Sequence, residues 1–250
     1  MRLLLLCTLF LAACRSSSED ELRVVVYNIK HGRGMDGVVD LERTAQVIEA
    51  GRPDVVVLQE VDHRCGRSGS VDQTAWLAER LGMVGVFGRF MDHDGGEYGM
   101  AMLTSFAEFS SVNHELPVGS EPRSALAMTM QTARGPVTVV GIHFYRTEEQ
   151  RLAQAEATLA AVADLEGPVI LAGDFNSRPD SVVMERVREE FTNVDKGEDN
   201  LTFSSVEPSV EIDHVLVRPA NAWSRLSLDV IEEPLASDHR PMLFTARWSR

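Results

Sequence analysis

The chain has almost no lysine. Lys30 and Lys196 are the two it carries in 250 residues, and the basic total of 24 Lys and Arg faces 38 Asp and Glu, for a net charge of −14. No Lys/Arg-rich stripe interrupts that acidity. A surface of this sign repels a polyphosphate backbone, which argues against a processive or general nuclease. Cysteine is nearly as scarce, with Cys7, Cys14 and Cys65 alone. The first two lie at the extreme N-terminus. Cys65, in an Arg-Cys-Gly-Arg stretch that reads as loop, is then left without a partner, and no disulfide framework is available. Its expected state is a free thiol with no part in the chemistry. Internal repeats, dividing linkers and apolar runs of membrane-spanning length, about 20 residues, are also missing. One domain with a sizeable core is the expectation.

The start of the chain does not read as fold. Arg2 supplies a positive charge, Leu3 to Leu6 and Leu9 to Leu11 form a short apolar core, and Leu11-Ala12-Ala13-Cys14 matches a bacterial lipobox. Residues 1–13 are therefore expected to be a lipoprotein signal peptide, with Cys14 lipidated as the mature N-terminus. A plain secretory signal, with Cys14 incidental, is the alternative. Residues 14–21 read as a polar tether, and residues 22–250 as the domain. Arg15 stands where Asp would favour retention in an inner membrane, so the outer membrane of a bacterial envelope is the expected location.

What is present is a set of apolar runs that end in polar side chains. Val24 to Tyr27 leads to Asn28, and Val55 to Leu58 leads to Gln59 and Glu60. Val137 to Ile142 leads to His143. Val169 to Ala172 leads to Gly173-Asp174-Phe175-Asn176. Ile212-Asp213-His214 opens the run Val215 to Val217, and Ser237-Asp238-His239-Arg240-Pro241 precedes Met242 to Phe244. Each run reads as a core strand. Any one ending is an ordinary passage into a solvated loop. Together they gather carboxylates, amides and imidazoles without a cysteine cluster, a donor set that suits a hard divalent cation and phosphate chemistry.

Helices are expected between the strands. Asp40 caps a helix from Leu41 to Ile48 that Gly51 stops. A second runs from Ala75 to Leu81 before Gly82. Thr147-Glu148-Glu149-Gln150 reads as a capping box opening a helix to about Leu165, and a fourth lies within Pro179 to Glu190. Met100, Met102, Met128 and Met130 alternate within strands and are expected in the core.

The ordered set Tyr27-Asn28, Leu58-Gln59-Glu60-Val61-Asp62, Gly141-Ile142-His143-Phe144, Gly173-Asp174-Phe175-Asn176, Ile212-Asp213-His214 and Ser237-Asp238-His239-Arg240-Pro241 resembles the endonuclease/exonuclease/phosphatase superfamily, which includes DNase I-like nucleases. His31-Gly32, Asp36-Gly37 and Glu121-Pro122-Arg123 resemble its small bacterial metal-dependent hydrolases. Two positions depart from the pattern: Ile142 stands where Thr is usual and Met100 where Asn is usual, both expected beside the site. The resemblance implies an α/β fold, a four-layer α/β/β/α sandwich of two packed mixed sheets with helices outside. It implies that Glu60, with Asn28 and Asp238, holds Mg²⁺ or Mn²⁺. Asp174 is the expected water-orienting base. Asn176 and His143 are expected donors to phosphoryl oxygens, and His239 is expected to be oriented by Asp213. Arg123 and Tyr98 are further candidates for phosphate contact. The expected activity is that of a metal-dependent phosphodiesterase acting on a lipid head group or another small phosphoester, by in-line attack of water. The expected partners are that substrate and, through the anchor, a membrane; a monomer is expected. Two alternatives are carried: a secreted endonuclease, with nucleic acid as the disfavoured partner, and a non-catalytic envelope lipoprotein that retains the fold.

Overall fold

The computed structural model describes residues 20–249. The expected signal peptide, Cys14 and most of the expected tether lie outside these residues. The first sheet is built from β1 (Glu21–Asn28), β2 (Val55–His63), β3 (Val84–His93), β4 (Gly96–Thr104), β11 (Trp223–Val230) and β12 (Met242–Trp248), in the order β11-β12-β1-β2-β4-β3. The second comprises β5 (Phe109–Glu115), β6 (Ser124–Thr132), β7 (Gly135–His143), β8 (Val169–Asp174), β9 (Thr192–Asn193) and β10 (Asp213–Arg218), in the order β5-β6-β7-β8-β10-β9. Four helices accompany them: α1 (Leu41–Ala50), α2 (Gln73–Leu81), α3 (Glu148–Val162) and α4 (Val182–Arg188). The expected four layers are present.

Three apolar clusters fill the three spaces between layers. Alternate residues of the central strands, Val24 and Val26 with Val55 and Val57, meet Met128, Met130, Val139, Ile170 and Val215 between the sheets. The opposite faces of the same strands, Val25, Val56 and Leu58, pack against Ala45 and Ile48 of α1 and Leu77 of α2. Val140, Leu171 and Leu216 pack against Leu159 and Val162 of α3 and Val183 and Val187 of α4. Both faces of these strands are therefore dry, which is why they read as unbroken Val/Ile/Leu runs rather than alternating ones. All four expected core methionines are fully buried.

Helix ends follow the expected signals with two exceptions. Asp40 accepts from Arg43 N at 3.0 Å, a cap worth about 1 kcal/mol. Asp72 and Ser181 cap α2 and α4 in the same way. The Thr147 side chain makes no capping bond, so the expected capping box is not formed at α3. Gly51 is not a left-handed stop, with φ −70°. Its reason is space: a Cβ there would sit 2.7 Å from Val25 Cγ2.

Strand direction collects the polar endings at one pole. β1 and β2 run parallel, as do β7 and β8, so Asn28 and His143 to Asp174 end their strands on the same side. β12 runs antiparallel to β1 and β10 antiparallel to β8, so His239 and Asp213 enter their strands there. Glu21, paired with Arg247, sits at the other pole.

Candidate active site

The floor of the site is Asp174. Gly173, just before it, has φ +144°, and a Cβ there would lie 2.1 Å from Ile142 O; β7 and β8 approach this closely because the position is glycine. Asp174 Oδ1 accepts from Asn176 N at 2.8 Å. Its other oxygen, Oδ2, accepts from Asn28 Nδ2 at 3.2 Å, and faces the Nε2 atoms of His143 at 3.5 Å and His239 at 3.7 Å. Burial, and then the Asp213 charge, raise the Asp174 carboxyl to about 7. A carboxylate so placed can hold or release a proton near neutrality.

The two imidazoles differ in charge. Burial alone would keep His239 neutral, but Asp213, at 2.9 Å from Nδ1, outweighs it and lifts the imidazole to about 10. His143 has no such partner. Burial and then Arg123 hold it well below its ordinary value, and its Nδ1 is buried without a hydrogen bond. A neutral ring with a bare, dry Nδ1 carries its proton on Nε2, the atom that faces Asp174. Asn176, at φ +48°, gives Nδ2 to Phe144 O at 2.9 Å, leaving one amide hydrogen for the cleft.

Glu60 is not at the end of its strand. β2 continues to His63, and the register slips between Gln59 and Val61, so Glu60 is the extra residue of a bulge with φ +57°. The bulge turns the side chain out of the alternation and into the cleft. Burial, and next the Asp238 charge, raise its carboxyl above the usual range. Asn28 Nδ2 touches it at 3.4 Å, and among the described residues no cationic side chain forms an ion pair with it. Asp238 itself accepts from Lys30 Nζ at 2.7 Å. A partly buried carboxylate without a cation, beside an amide and a second carboxylate, fits a hard oxygen-seeking cation. Asp174, Asp213 and His239 also bring ligand atoms within 4.8 Å of one another. The Asp213–His239 hydrogen bond already occupies Asp213 Oδ2 and His239 Nδ1, and a protonated imidazole offers no lone pair, so Glu60 is the better seat.

Arg123 and Tyr98 share a wall of the cleft. The Arg123 guanidinium is 5.1 Å from the Phe90 ring centre, 5.9 Å from Tyr98 and 5.6 Å from Tyr145, and it pairs with Glu121. Phe90 marks a second bulge, opposite the same stretch of β4. The cleft, about 430 Å³, is lined by Glu60, Tyr98, Arg123, His143, Asp174, Asn176, Asp238 and His239; Asn28 and Asp213 stand directly behind, bonded to Asp174 and His239. All ten expected residues of the cleft thus come together.

The structure adds residues that sequence reasoning missed: Arg67, His93, Arg146 and Phe203 also line the cleft. Arg67 is placed by a bidentate pair with Asp62, at 2.8 and 2.6 Å. Phe203 lies 4.9 Å from His239, ring centre to ring centre. Arg146 had a signal, three residues beyond His143; His93 ends β3 without a motif, and Arg67 and Phe203 sit in connections without pattern. The side chains of Met100 and Ile142 do not line the cleft. Both are fully buried in apolar clusters, so neither departure from the family pattern reaches the cleft. Cys65 is buried rather than on a solvated loop, with Sγ directed at Glu97 O at 3.2 Å, and burial lifts its thiol to about 11.

The sequence model of the Endonuclease/Exonuclease/phosphatase family matches residues 25–239. A solved endonuclease/exonuclease/phosphatase from Beutenbergia cavernae is 26% identical, with a TM-score of 0.77 over 92% of this chain and 72% of its own. One from Bacteroides vulgatus is 22% identical, with a TM-score of 0.75 over 92% and 99%. The human Nocturnin catalytic domain, solved with a bound sulfate anion, is 20% identical, with a TM-score of 0.69 over 92% and 94%. The match spans every strand end that builds the cleft, and the chain belongs to the endonuclease/exonuclease/phosphatase family, whose members are hydrolases of phosphoester bonds.

Proposed function

We propose that this protein is a divalent-metal-dependent phosphodiesterase that hydrolyses a small phosphoester, a head group or a soluble diester, at a bacterial cell envelope. The observation that carries the reading is Asp174 Oδ2, which gathers Asn28 Nδ2 and two imidazole Nε2 atoms within 3.7 Å at the floor of an open cleft. Asp174, near 7, accepts the proton of the attacking water. The His239 imidazolium, held by Asp213, and the neutral His143 Nε2–H take phosphoryl oxygens as charge builds on them. The free hydrogen of the Asn176 amide and the Arg123 guanidinium add donors to the same group. Glu60, with Asn28 and Asp238, would hold Mg²⁺ or Mn²⁺, which when bound neutralises charge on the phosphoryl group. No side chain in the cleft is a poised nucleophile, so attack is by water in line with the leaving group.

The endonuclease alternative draws on Arg67, Arg123 and Arg146 in the cleft. Two of these are already paired, with Asp62 and Glu121, which leaves little free charge to grip a polymer. The lipobox supports an anchor at Cys14 and an outer-membrane location; both belong to this proposal. The test is a panel of bis(p-nitrophenyl) phosphate, sphingomyelin, phosphoinositides and plasmid DNA with Mg²⁺, Mn²⁺ or EDTA. Cation-dependent turnover of a small or lipid diester is expected. Full activity after chelation would overturn the metal reading, and plasmid nicking as the fastest reaction would move the protein to the nucleases.

A further inference from the structure

The chain's other lysine lies behind the site. Lys196 opens the long connection between β9 and β10, residues 194–212, and Glu211 nearly closes it. The two side chains meet at 2.5 Å, and that of Lys196 is 1% exposed. Lys196 Nζ also reaches His214 Nδ1, at 3.4 Å. His214 Nε2 donates to Ser177 O at 2.8 Å, so its Nδ1 is free to accept from the ammonium. A continuous line of Glu211, Lys196, His214 and Ser177 thus passes behind Asp213, which precedes His214 in β10.

Each end of that line holds a piece of the cleft. Ser177 directly follows Asn176. The connection stapled by Lys196 and Glu211 carries Thr202, whose Oγ1 accepts from Ile212 N and Asp213 N, both at 3.2 Å. Thr202 O accepts from Arg240 N at 2.8 Å, and Ser205 N donates to Asp238 O at 2.7 Å. Phe203, between them, packs on the His239 ring. The connection therefore grips the His239 segment from both sides, and the buried ion pair closes it at its root.

Resting on the roles given above to His239 and Asn176, we propose that Lys196 is a positioning residue, which with Glu211 and His214 fixes both catalytic segments relative to Asp213. A buried ion pair is seldom better for stability than apolar side chains of the same volume. Its retention here is explained by direction: the ammonium must meet a carboxylate and a ring nitrogen together, and apolar groups impose no such alignment. Small misplacements in a site are costly, up to about 10²-fold for 1 Å.

The variants are Lys196→Met, Lys196→Arg and the apolar pair Lys196→Met/Glu211→Leu, in the full chain. Each is read by melting temperature, by kcat and KM on bis(p-nitrophenyl) phosphate with Mg²⁺, and by the low-field proton resonance of His239 Nδ1–H. The apolar pair keeps a folded protein should the single Met variant fail to fold. The expected result is a folded apolar pair with kcat down at least about tenfold, KM nearly unchanged, a broadened or shifted His239 resonance, and partial recovery in Lys196→Arg. A folded apolar pair with parental kcat and an unmoved resonance would overturn the proposal. The resonance reads positioning whether or not this ester is a substrate, so failure of the proposed function shows separately, as a parent protein that turns nothing over.

Discussion

At the scale of single residues, the site is a set of charges held away from their ordinary titration. Asp174 near 7 and His239 near 10 frame the active form, with Asp174 ionised and His239 protonated. The expected kcat/KM profile rises as Asp174 loses its proton and falls as His239 loses its own. Asp213→Asn removes the anion that lifts the imidazole, so the descending limb moves to lower pH. A descending limb unmoved in that variant would show that His239 does not set it. These residues were legible because each lies within a short motif at a strand end, where type and order speak together. Arg67 and Phe203 were not, because their places depend on partners that no local pattern reveals: Asp62 for the one, His239 for the other.

At the scale of elements, the central strands could be read from their apolar runs, and α1 and α2 from Asp40 and Gly82 at their ends. The bulge at Glu60 could not. A bulge is a mismatch between two strands, and neither strand alone records it. Glu60 combines two costs, a non-glycine side chain at φ +57° and a carboxylate raised by burial. Strained backbone of this kind costs about 1–3 kcal/mol. Glu60→Gly is therefore expected to melt at the same temperature as the parent or a few degrees higher without cation. It should also lose cation-stimulated turnover and the rise in melting temperature that Mg²⁺ gives the parent. A variant that melts well below the parent without cation would show that Glu60 is there for the fold.

At the scale of the whole molecule, acid should be the weakness. His214 and His31 are held neutral in the folded protein, at about 3 and about 4, in both cases chiefly by burial. A histidine lowered in this way contributes stability that is present above its ordinary 6.5 and is lost as pH falls through the folded value. The melting temperature is expected to fall steadily from pH 6.5 towards pH 4. The fall should be shallower in His31→Asn/His214→Asn, and equal steepness there would place the sensitivity elsewhere. In the sequence both stood only as members of motifs, with no sign of burial, since a buried histidine looks like any other until its neighbours are known.

The two poles of β1 have a consequence for reach. The strand leaves Glu21 at one pole and delivers Asn28 to the cleft at the other, about 25 Å away at strand spacing. A chain held to a bilayer by Cys14, as proposed, would have its point of attachment seven residues before Glu21 in the sequence. Its cleft would then face away from the surface that holds it. Such a molecule meets esters arriving from the surrounding fluid, or from a facing membrane, sooner than the head groups beneath its own anchor.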